Sequence, residues 1–116
     1  MAFLTTGLLD NTPVFGVRPS TSLRVLVTNN EDTIESVEVK GFFQNGNTKI
    51  QYVEELFSIG SGEVKIRDFF GEFDGIEFQF LVSSPGVNVT LWGKDGESNL
   101  QTAHRVVAQE FDELSI

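Results

Sequence analysis

Residues 76–82 read Ile-Glu-Phe-Gln-Phe-Leu-Val. Ile76, Phe78, Phe80 and Val82 alternate with Glu77 and Gln79, the period-2 pattern of a strand with one face in a core. The same period recurs on both sides of this stretch. Leu23, Val25 and Val27 alternate with Arg24, Leu26 and Thr28. Val37, Val39, Gly41 and Phe43 alternate with Ser36, Glu38 and Lys40. Asn45-Gly46 follows, a pair that tolerates the positive φ of a type I′ hairpin turn. Ile50, Tyr52 and residues 53–59 form the next strand region, where Glu54-Glu55-Leu56-Phe57 breaks alternation and predicts a bulge or a change of sheet.

Gly60-Ser61-Gly62 turns the chain. Val64 and Ile66 then face one way, and Glu63, Lys65 and Arg67 the other. Phe69 to Gly75 reads as an aromatic loop. Val87, Val89 and Leu91 oppose Asn88, Thr90 and Trp92, and a final strand is expected from about Ala103 to Phe111. Turn signals separate these runs at spacings of about 10–12 residues, and no helical period is sustained. The sequence predicts an all-β fold: an antiparallel two-sheet sandwich of jelly-roll type with about eight strands. Its expected core includes Phe78, Phe80, Val25, Val39, Ile66 and Val89.

A chain of 116 residues fits one domain. Eleven Phe stand against one Tyr and one Trp, so the rings are expected in dry surroundings. The absence of cysteine excludes disulfides and thiolate chemistry. A net charge of −9 argues against nucleic acid and anionic membrane surfaces as partners. No run approaches the roughly 18 apolar residues of a membrane span. The N-terminus lacks the basic start of a classical signal peptide, so its first residues are expected to remain on the mature protein.

Residues 1–18 are read as a connector arm in front of a sandwich domain at 19–116. The arm carries Phe3, Leu4, Leu8, Leu9, Val14 and Phe15, with Asp10 its one acid. Phe3, Leu4, Leu8, Leu9 and Phe15 are the expected subunit-interface residues. Residues 2–15 are expected to leave their own domain and bury these side chains in a neighbouring copy.

Catalytic, cofactor and metal sites are not expected. His104 is the single histidine, no Gly-x-Ser-x-Gly elbow presents a nucleophile, and His104 reads as a surface or sheet-edge residue. Asp68, Glu72, Asp74 and Glu77 offer oxygen ligands around a loop, but not in EF-hand order. Asn88-Val89-Thr90 is a formal glycosylation sequon inside a strand pattern. Trp92 and Tyr52 are the candidates for a sugar-stacking platform.

The stretch from Val89 to Gly96, with Leu100 to Val107, Thr6-Gly7-Leu8-Leu9 and Arg18-Pro19-Ser20, resembles small spore-associated proteins of endospore-forming bacteria. That group is similar to the pilus subunits called endospore appendages. The resemblance implies a jelly-roll subunit on the spore surface, outside the cell, polymerising head-to-tail with itself through an N-terminal connector. An anchoring protein on the spore is an implied further partner. The chain departs from the better-known appendage subunits in having no connector cysteines, which implies a non-covalent branch. The alternatives are a closed, trimeric jelly-roll oligomer of a spore coat or phage virion, and a carbohydrate-binding module.

Overall fold

The computed structural model describes residues 1–97, 99–104 and 106–108. Among these the chain forms ten strands: β1 (Ala2–Thr5), β2 (Leu9–Asp10), β3 (Ser22–Asn29), β4 (Glu35–Asn45), β5 (Thr48–Ile59), β6 (Val64–Phe70), β7 (Gly75–Val82), β8 (Val87–Lys94), β9 (Leu100–His104) and β10 (Val107–Ala108). The larger sheet has the order β10-β1-β7-β4-β5, with β2 also on β7, and the smaller has the order β6-β3-β8-β9. Every pairing is antiparallel. The chain changes sheet after β2, β3, β5, β6, β7 and β9, the crossing habit of a jelly roll. The strand expected over 103–111 is divided between β9 and β10; residues 109–111 lie outside the described residues.

The run that opened the sequence is the central strand of the larger sheet. β7 pairs with β4 on one side and with β1 and β2 on the other. Ile76, Phe78, Phe80 and Val82 are fully buried, in one core with Leu23, Val25, Val27, Val87 and Leu91 of the smaller sheet. Phe78 sits at the middle, its ring 5.2 Å from Phe69, 6.2 Å from Tyr52 and 6.3 Å from Phe80. Gly41 of β4 makes room for it: a Cβ there would stand 2.9 Å from the Phe78 ring and 3.0 Å from Val53 Cβ.

Four local expectations are corrected. The β4–β5 loop lies one residue later than Asn45-Gly46, because Asn45 still pairs with Thr48. Only Gly46 has positive φ, +62°, as a II′ turn needs at its first central position. The irregularity expected at Glu54–Phe57 falls opposite Gly41 and Phe42, where Val53 and Gln51 are the paired residues and Tyr52 is the extra one.

The third correction concerns β6. Ile66 is 50% exposed and does not belong to the core. The register pairs Val25 with Arg67 and Val27 with Lys65, which turns the basic side chains inward. Arg67 Nε donates to Glu55 Oε1 at 2.5 Å, and its guanidinium lies 5.0 Å from the Phe57 ring. Lys65 Nζ lies 5.6 Å from the same ring. Inward charges on an edge strand discourage pairing with another sheet edge.

The fourth concerns the arm. β1 and β2 are strands of their own domain. Ala2, Leu4 and Leu9 pack on the core. The physical reason is β7: without β1 its far side would be a bare edge above the Phe80 and Val82 layer. Gly41→Ala should lower stability by about 1–3 kcal/mol in urea denaturation. An unchanged or higher midpoint would show that Phe78 is not packed against this glycine.

Candidate functional site

Between β2 and β3 the chain makes an excursion on a rigid base. Asn11 is buried, and its Nδ2 donates to the carbonyls of Ser20 (2.9 Å), Gly71 (2.9 Å) and Phe73 (3.0 Å). Its Oδ1 accepts from Ser20 N at 2.9 Å. Arg18 Nη1 donates to the Asn11 carbonyl and to Asp74 Oδ1, both at 2.9 Å. One amide and one guanidinium thus tie both ends of the excursion to the β6–β7 loop.

On that base stands a two-residue turn. Val14 N donates to Val17 O at 2.8 Å, and Val17 N to Val14 O at 3.0 Å. Phe15 and Gly16 between them have φ of +51° and +77°. This is the geometry of a type I′ turn, normally written Asn-Gly. A bulky side chain in the left-handed region costs roughly 1–2 kcal/mol. Phe15 is nonetheless completely exposed (102%), flanked by Val14 and Val17 at 60% and 69%. Residues 12–17 carry no charge.

The five expected interface residues do not form one patch. Phe15 and Leu8 are exposed. Leu4 and Leu9 face their own core, and Phe3 is half-buried, paired with Leu81 of β7.

A second apolar surface was not legible. The outward residues of the smaller sheet are Ser22, Arg24, Leu26 and Thr28 on β3; Val64, Ile66, Asp68 and Phe70 on β6; and Asn88, Thr90, Trp92 and Lys94 on β8. Val64, Ile66 and Phe70 are exposed, Leu26 and Trp92 half-buried. Leu26 pairs directly with Ile66, so the apolar stripe is continuous from β6 to β3. Arg24 donates two hydrogen bonds to Asp68, at 2.9 and 3.1 Å, and Lys94 Nζ lies 3.9 Å from the same carboxylate. The Arg24 hydrogen bonds hold Asp68 below the usual carboxylate range. The sequence signal was the pair Val64 and Ile66, but alternation gives two faces without saying which is inside.

The acidic group singled out in the sequence is dispersed. Asp68 serves Arg24, Asp74 pairs with Arg18, Glu72 is exposed, and Glu77 lies on the outer face of the larger sheet. Glu77 accepts from Thr5 Oγ1 (2.8 Å), Lys49 Nζ (2.6 Å) and Gln79 Nε2 (3.2 Å). Burial pushes its carboxyl up, but these donors outweigh burial and leave it below its ordinary value. Tyr52 and Trp92 share no face. Tyr52 packs edge-on against Phe43, Phe73 and Phe78 and donates to Phe70 O at 2.5 Å; burial pushes its phenol up to about 12. His104 lies on β9, beside a cavity of about 230 Å³ that Leu9, Asp10, Ser20, Leu23 and Ile76 also line. Loss of solvent lowers its imidazole. Asp10 in that cavity accepts from Thr12 N and Oγ1.

Two outcomes are expected. Phe15→Asn places the usual residue in the turn and should raise the stability of the fold by about 1 kcal/mol in urea denaturation; a loss would show that Phe15 supports its own fold. Glu77 ionises at lower pH in the folded than in the unfolded chain. Its contribution is present above the ordinary value of 4.5 and is lost as pH falls through the folded value. Glu77→Gln should therefore flatten the decline of the urea midpoint between about pH 5 and 3. An equally steep decline in the variant would contradict this.

No family model and no curated protein matches the chain. Among solved structures it is similar to the Anabaena sensory rhodopsin transducer, with a TM-score of 0.54 at 12% identity over 83% of this chain and 91% of that one. It is also similar to Thermotoga maritima 1070, with a TM-score of 0.51 at 10% identity over 93% and 90%. At these identities the likeness is one of fold.

Proposed function

We propose that this chain is a structural subunit that assembles with copies of itself without covalent links, as the building block of a fibre or pilus on a bacterial spore surface. The observation that carries the reading is Phe15: a fully exposed aromatic ring in a left-handed turn, on a base fixed by Asn11 and Arg18. Strain kept at an exposed site, against the residue the turn prefers, is the mark of a contact made with something else. Burying one Phe is worth roughly 1.5–3 kcal/mol, and Val14 and Val17 add to it. Each joint of a head-to-tail polymer must hold by itself, so this burial, with whatever surrounds it on the acceptor, is what each joint rests on. With no cysteine in the chain, such contacts do not use disulfides. The N-terminal segment enters this scheme through its turn, since β1 already completes its own sheet.

Sedimentation and negative-stain microscopy of the wild type and Phe15→Asp test the reading. The wild type should form polymers. The variant should sediment as a 12.9 kDa monomer with an unchanged β spectrum. A monomeric wild type, or a polymerising variant, would overturn it.

A further inference from the structure

From the smaller sheet's outer face we infer that this surface is the acceptor for the Val14–Val17 turn of a second copy. The inference rests on the self-assembly reading and names the mate it leaves unspecified. Part of the face is an apolar stripe set among polar neighbours, with the Phe70 ring also 5.3 Å from Phe73 of its own chain. Val64, Ile66 and Phe70 are 56%, 50% and 55% exposed on one strand, with Leu26 and Trp92 beside them. Their exposure follows from Lys65 and Arg67 taking the inner side.

Charge selects the occupant. The chain carries −9, so two copies repel unless the surfaces that meet are exceptions. Both surfaces are. The turn is uncharged over residues 12–17. At its base stand Asp10, bonded to Thr12, and Asp74, bonded to Arg18, two acids and one base, a local −1. The face carries Arg24 and Lys94 against Asp68 alone, two bases and one acid, a local +1. An apolar tip with an acidic collar thus meets an apolar stripe with an excess cation. Phe15, fully exposed, does not reach its own face, so the contact is made between copies. Tip and face are different surfaces, so the contact is head-to-tail and propagates rather than closing on itself as a two-fold dimer must.

A mixing experiment tests this. Phe15→Asp keeps the face and spoils the tip. Ile66→Asp, at an exposed edge position, keeps the tip and spoils the face; Val64→Lys serves as a second face variant. Each alone should be monomeric. Mixed, a tip variant and a face variant should form a 1:1 dimer of twice 12.9 kDa and stop there, because the pair holds one intact tip and one intact face. If both face variants polymerise like the wild type while Phe15→Asp does not, the acceptor lies elsewhere and self-assembly through the turn stands. If each variant is monomeric and mixtures stay monomeric, tip and face are not mates. If the wild type itself is monomeric, both readings fall.

Discussion

Arg67 sets the arrangement on which the outer surface depends. It lies on the inner side of an edge strand, bonded to Glu55 across the gap between the sheets and seated on Phe57. Its ion pair is one-third exposed on each side and worth little by itself, about 0–1 kcal/mol. The apolar stem contributes more, covering a ring at the open side of the sandwich. Once Arg67 and Lys65 take the inside, period 2 obliges Val64, Ile66 and Phe70 to take the outside. The same inward charges make this edge a poor template for strand addition. What β6 presents to solvent is its outward apolar side chains.

The N-terminal segment obeys a complementary constraint. β7 carries the largest buried rings, and β1 and β2 cover its otherwise open side. Thr5 reaches across that pairing to Glu77, where Lys49 arrives from β5, so one carboxylate joins three strands of the outer face. Asn11 then turns the chain by supplying donors to three carbonyls that strand pairing leaves over. What remains to project is a short uncharged turn. The turn itself carries no charge over residues 12–17.

The central strand was legible because Ile76 to Val82 alternate without interruption, and the same holds for β3, β4 and β8. Period 2 divides a strand into two faces but does not say which is buried, and β6 is where that mattered. Nothing local in Val-Lys-Ile-Arg reveals that Glu55 and Phe57 await the basic side. Ala2, Leu4 and Leu9 are covered as their apolar character requires, while Leu8 is exposed, and composition does not distinguish a chain's own sheet from a neighbour's. The Thr5–Glu77 bond spans 72 positions and left no signal in the sequence. Phe15 was legible as an apolar residue of the N-terminal segment, whereas the turn presenting it was not, because Phe-Gly replaces the usual Asn-Gly. The similarity in fold to the sensory rhodopsin transducer at 12% identity fits this picture, since a sandwich follows from pattern more than from particular residues.

The account turns on where Phe15 lies in the assembled protein. A photo-crosslinking phenylalanine analogue at position 15 reads this directly. Wild-type-length chains carrying it would be mixed with isotopically heavy copies, irradiated and mapped by mass spectrometry. The account predicts light-to-heavy crosslinks from position 15 to residues 24–28, 64–70 and 90–92. Crosslinks confined to light chains, or joining position 15 of one copy to position 15 of another, would contradict it.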